Sequence, residues 1–238
     1  MHFMYNPKYV LKLCDKIYPY SLGLSLVTFI LGLYGALIIS PPDYQQGEAV
    51  RLMYIHVPAA WLSIFVYCFI ACAGAAFLIW RYSLSPLIIQ AAAPLGTVYT
   101  LLALFSGAFW GKPMWGTWWV WDARLTSFLF LLFIYLGLIF LSKAFNNQER
   151  AAKSLSILAV VGAINVPIIK FSVDWWHTLH QPSSILRWGG PSIDPAMIWP
   201  LLTMILAFTF FFFTTLILGL KTKILKRKIE NYQDHQYE

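Results

Sequence analysis

Apolar residues in this chain come in long unbroken runs, not in stripes of period 3.6 or alternations of period 2. About 20 apolar residues in a helix cross a hydrocarbon core of about 30 Å. Six runs approach or reach that length: residues 18–39, 58–79, 88–110, 125–141, 154–169 and 196–220. Pro94 and Pro167 fall inside runs and predict kinks there, with the freed carbonyls satisfied by neighbouring helices. The pattern predicts an all-α membrane protein of six transmembrane helices. No internal repeat stands out and no linker is long enough to split the chain, so residues 1–238 read as one integral membrane domain. The first run starts late, near Tyr18, and is too long for the apolar stretch of a cleavable signal peptide.

Composition sharpens this picture. Only 11% of the 238 residues are charged, against 59% hydrophobic, and mean hydropathy is +0.65. A soluble domain carries charge on about a quarter of its residues. An ordinary cytosolic domain, a disordered chain and a nucleic-acid binder are thereby excluded. The net charge of +7 has a membrane explanation, because Lys and Arg hold the cytoplasmic side. The N-terminus, the turn at Arg81, the loop 143–153 and the basic tail 221–238 carry 12 Lys and Arg. The other three loops carry 5: Arg51, Lys112, Arg124, Lys170 and Arg187. This split predicts both termini inside. Cys14, Cys68 and Cys72 are an odd set and no disulfide framework. Cys68 and Cys72, four apart on one helix face, read as small buried apolar residues, not as a metal or redox pair.

With that orientation His56, His177 and His180 fall outside, as do ten of the eleven Trp; Trp80 lies at the inner side. An aromatic belt would populate both interfaces, so the asymmetry points to a one-sided platform. Its centre is the segment 111–124, an interfacial stretch expected to be periplasmic. If helical after Pro113, it would align Trp115, Trp118, Trp119 and Asp122 at i, i+3, i+4 and i+7, with Trp121 beside Trp118. Gly111 and Gly116 would allow close approach of a ligand or another backbone. Stacked indoles suit a flat aromatic macrocycle, although interfacial Trp also serves as a simple anchor. His56 and His180 come from different outer loops on either side of this segment. Two neutral imidazoles ligate haem iron from opposite faces, although an interfacial His is also commonly just hydrogen-bonded. His177, three residues before His180, is an alternative ligand or a partner to it. Arg51 and Arg124 are the first candidates for haem propionates; membrane-edge pairing with Glu48, Asp43 or Asp122 is the competing reading. His2 and His235 are terminal and are given no role.

The run of residues 115–124, Trp-Gly-Thr-Trp-Trp-Val-Trp-Asp-Ala-Arg, resembles the tryptophan-rich WWD signature of haem-handling proteins of c-type cytochrome maturation. Within them it is most similar to the haem exporter C (CcmC) family of the multi-subunit pathway, system I. The resemblance also takes in residues 53–61 and 175–181, and with the six spans it covers most of residues 18–220. It implies that haem b is held transiently and non-covalently at the outer face of the bacterial inner membrane. His56 and His180 match the family's axial ligands, and the WWD segment holds the macrocycle. It implies transfer of haem to the periplasmic chaperone CcmE. The implied partners are the ABC transporter subunits CcmA and CcmB and the small membrane protein CcmD. His177 is not carried over from the family pattern, and its role stays open.

The larger haem lyases that share the signature need more spans than 238 residues supply. The chain has no Cys-x-x-Cys-His, no Walker A sequence and no hydrolytic constellation, so it reads as a handling protein and not an enzyme. Two alternatives stand beside this. A permease subunit of an ABC haem transporter would need a polar path through the spans. A b-haem electron-transfer subunit would need histidines within them.

Overall fold

The structure, a computed structural model, describes residues 6–145, 147–180 and 188–234. His2, His235, Gln181, Arg187 and the end of the basic tail lie outside the described residues.

Among the described residues seven α-helices form, and they make six stretches long and apolar enough to cross a membrane. Helix α1 (Pro7–Tyr34) starts at an Asn6 cap, whose side chain accepts the Lys8 N–H, and ends in a π-helical turn, Gly35–Ile39. A 3₁₀ turn (Glu48–Leu52) leads into α2 (Met53–Trp80). Then follow α3 (Ser85–Trp115), α4 (Ala123–Leu141), α5 (Gln148–Gly162), α6 (Asn165–Trp175) and α7 (Pro195–Asp234).

Every expected run lies within this set, but the ends differ for physical reasons. Helices extend beyond the apolar runs because water-exposed turns also form helix once a span has nucleated them. Hence α1 begins at Pro7, α3 runs to Trp115 and α7 continues to Asp234. The fifth run is not one kinked helix. It breaks into α5 and α6 at Ala163–Ile164. Pro167 lies in the first turn of α6, where its missing N–H costs nothing. By contrast Pro94 is absorbed inside α3.

Helix α2 is the centre. It packs along α3, α5 and α7, while α3 also meets α4 and α7, and α4 meets α5 and α6. The core between them holds Leu62, Val66, Ile70, Leu131, Leu138, Leu155, Leu201 and Phe212, all at 1% exposure or less. Helix α1 packs along α7, where Ser21 and Thr214 hydroxyls pair at 2.7 Å and Gly32 faces Met204. Cys68 and Cys72 are exposed, not buried as expected. They sit on the outward face of α2, where a bilayer solvates a thiol as readily as a core does.

The two ends of the bundle differ. Lys221 pairs with Asp15, Arg81 lies 3.9 Å from Glu149, and Arg227 donates to the Ser83 carbonyl at 3.4 Å. The start of α1, the α2–α3 turn, the start of α5 and the far part of α7 therefore share one end. The loop between α3 and α4, the start of α2 and the segment after α6 share the other.

Candidate haem site

At that second end a cleft opens between α2, α3 and α4. It is partly open to the outside. His56 and Ala60 come from α2, Ala103, Leu104, Gly107 and Ala108 from α3, and Arg124, Leu125 and Phe128 from α4. Trp115, Trp118, Trp119 and His180 complete it.

His56 lies in the first turns of α2, inside the helix and not in a loop before it. Its Nδ1 is 3.0 Å from the Ala103 carbonyl and 3.3 Å from Ser106 Oγ. A carbonyl only accepts, so Nδ1 carries the proton and Nε2 keeps its lone pair. The ring lies directly over Gly107, where a Cβ would be 2.8 Å from Cε1. Trp110 meets it edge-on at 5.6 Å and is itself fixed by donating Nε1–H to Gln46 Oε1 at 2.8 Å.

The tryptophan segment does not form the expected helical stripe. Helix α3 carries through Pro113, whose lost N–H falls in its last turn, and stops at Gly116. Gly116 adopts φ 75, a left-handed conformation that glycine takes at helix ends without strain. Lys112 Nζ donates to its carbonyl at 2.9 Å. Residues 117–122 then run as an irregular loop. Trp115, Trp118 and Trp119 still reach the cleft, but as three indoles on a bent chain. Trp121 does not line it; it is 75% exposed and packs edge-on against Trp119 at 5.4 Å.

Asp122 is placed differently from the other residues of the segment. It is 8% exposed and lies behind the lining residue His180 instead of lining the cleft itself. Its Oδ1 caps α4 by accepting the Leu125 N–H at 2.8 Å. Its Oδ2 accepts the Thr178 hydroxyl at 2.6 Å and lies 3.5 Å from His180 Nδ1. His180 is further packed edge-on against Trp115 at 4.9 Å. Burial holds the His180 imidazole below its ordinary pKa, with Asp122 opposing, so it is neutral at neutral pH. His177 is exposed and outside the cleft.

Of the two arginines, Arg124 reaches the cleft and also donates to Ser172 Oγ of α6 at 3.2 Å. Arg51 does not. It pairs with Glu48 and donates to the Ala36 carbonyl, tying the 3₁₀ turn to the end of α1. Sequence reading missed Gly107, Ser106, Ala103 and Thr178. The small residues 103, 107 and 108 in an otherwise bulky run were the available signal for the first group.

Among the described residues no three His, Cys, Asp or Glu side chains converge into a metal cage. Two imidazoles alone bind iron poorly, so a metal here must bring further ligands, as a porphyrin does. Apolar walls, indoles, two unprotonated ring nitrogens and a guanidinium fit such a molecule. Fold and site thus define a multi-pass helical membrane protein with a cleft suited to a flat metal chelate. More specifically, the chain belongs to the Heme exporter protein C (CcmC) family, whose model matches residues 1–235. The Heme exporter protein C of Bradyrhizobium diazoefficiens is 47% identical over 228 residues, 96% of this chain and 86% of that one. Those of Haemophilus influenzae and Escherichia coli are 43% and 42% identical over 218 and 225 residues, covering 91% and 94% of this chain. They cover 89% and 91% of those relatives. The family is one of haem-delivery membrane components and not of enzymes.

Proposed function

We propose that this chain handles haem in cytochrome c biogenesis, holding haem b at the periplasmic face of the bacterial inner membrane for transfer to the chaperone CcmE. CcmA, CcmB and CcmD are its proposed partners. The observation that carries this reading is that His56 and His180, 124 positions apart in the chain, line one cleft with Trp115, Trp118, Trp119 and Arg124.

Each side chain has a part. His56 and His180 supply neutral nitrogens to the iron, each ring held from its Nδ1 side. The indoles cover the macrocycle, and Arg124 meets a propionate as a charge-assisted donor. Haem, when bound, would supply a vinyl group across which the chaperone's histidine N–H could add, the C–N bond forming as the vinyl π bond breaks and the proton passes to the other vinyl carbon, and the cleft is partly open for such an approach. Orientation alone lowers such a barrier by several kcal/mol, on the order of 7 or more at best.

The core supports handling at the end of the bundle over passage through it. Five of its hydroxyls donate to carbonyls, Ser63 to Ala59, Thr97 to Ala93, Thr100 to Gly96, Tyr99 to Phe208 and Tyr135 to Ser63, while Ser85 and Ser156 are buried without a partner among the described residues. Absorption spectra of the purified protein test the reading. His56→Ala and His180→Ala are each expected to abolish the low-spin spectrum of a bis-imidazole haem. An unchanged spectrum and haem content in both variants overturns it.

A further inference from the structure

Thr178 does not line the cleft, yet its side chain is wholly engaged with the site. The hydroxyl donates to Asp122 Oδ2 at 2.6 Å. The same oxygen accepts the His180 backbone N–H at 3.0 Å and lies 3.5 Å from His180 Nδ1. Asp122 is in turn fixed to the start of α4 through Oδ1. Thr178 therefore bridges the loop that ends in Asp122 and the segment that carries His180.

The two imidazoles are backed unequally. His56 leans on a neutral carbonyl, that of Ala103. His180 has a buried carboxylate 3.5 Å from its Nδ1. A carboxylate behind an imidazole N–H fixes the ring and raises the basicity of the opposite nitrogen. A stronger, more anionic donor favours the more highly charged metal state.

We propose that Thr178 is a positioning residue for the axial ligand, holding His180 against Asp122 so that this imidazole is the stronger donor of the two and favours ferric haem. The proposal rests on the reading of His180 as an iron ligand. The position calls for one atom that both donates to a carboxylate and accepts a peptide N–H. Serine meets that demand; valine, of the same shape as threonine, meets neither half.

The test uses the full-length protein in nanodiscs, loaded with haemin, with two readouts: the midpoint potential and the rate of haem loss to apomyoglobin. Loss of an outer partner of a metal-bound histidine weakens metal binding about 10–100-fold. Thr178→Val and Asp122→Asn are each expected to speed ferric haem loss about tenfold. Each is also expected to shift the ferric-to-ferrous preference about tenfold towards ferrous, a midpoint about 59 mV more positive for one electron. Asn caps a helix about as well as Asp, so Asp122→Asn removes the charge and spares α4. Thr178→Ser is expected to keep both wild-type values. His180→Ala is the reference. If it leaves the low-spin spectrum unaltered, the ligation reading falls and this inference with it. If it abolishes that spectrum while Thr178→Val keeps the wild-type potential and loss rate, only the role of Thr178 is refuted. Equal shifts in Thr178→Val and Thr178→Ser also refute it, because the hydroxyl would then not be what matters.

Discussion

Single residues decide how the imidazoles are presented. Gly107 leaves room for the His56 ring, and any Cβ there meets it at 2.8 Å. Overpacking of this kind costs about 1–3 kcal/mol. Gly107→Ala is therefore expected to weaken haem binding by about tenfold while far-UV dichroism stays unchanged, since alanine suits a helix better than glycine. Unaltered haem affinity in that variant would show that the ring is not held by α3. The histidines themselves were legible in sequence, because imidazoles beside a tryptophan-rich segment suggest a ligand. Their backing was not. Ala103 acts through its carbonyl and Thr178 through a contact across 56 residues to Asp122, and neither leaves a pattern along the chain. Asp122 was read as part of the platform because it follows the tryptophans at helical spacing. In the folded chain it is a cap and a support.

At the scale of elements, the spans were legible because hydrocarbon thickness imposes one length on all of them. The segment between α3 and α4 was not, since two local signals conflict there. Pro113 suggests a helix start, and Gly116 suggests a helix end. Gly116 prevails, because a proline near the end of a helix that is already formed removes only one hydrogen bond. The break between α5 and α6 matters for the same end of the molecule. Asn165, at the first position of α6, donates Nδ2–H to the Ser127 carbonyl of α4 at 2.9 Å, and Arg124 reaches Ser172. These bonds set α6, and so the chain leading to His180, against α4. Asn165→Ala is expected to cost about 1 kcal/mol. That lowers the unfolding midpoint in detergent by about 2–4 °C for a chain of this size. Hydrogen exchange should rise in α6 before it rises in α2. Equal protection of α6 in variant and wild type would disprove the coupling.

For the whole molecule, the charge count predicted which segments share an end. The ion pairs among α1, α7, the Arg81 turn and α5 join the segments grouped by that count. Direction across the bilayer is a separate matter, and an impermeant thiol reagent tests it. Single cysteines are placed on a background in which Cys14, Cys68 and Cys72 are replaced. Trp121→Cys is expected to react in intact cells and Ser142→Cys only after lysis. The opposite labelling would put the cleft on the wrong side for a periplasmic acceptor. The uneven use of the bundle also becomes clear at this scale. The core binds α2 to α5 and α7, and the cleft draws on α2, α3 and α4.

Helix α1 stands apart from that arrangement, seated along α7. The Ser21–Thr214 bond joins positions 193 residues apart, so α1 finds its berth only when α7 has been made. A nascent chain interrupted before α7 would leave the Ser21 hydroxyl and the notch at Gly32 in lipid, unmet. The seam between α1 and α7 thus joins two spans far apart in the chain, and neither buries its small and polar residues there until both lie side by side in the bilayer.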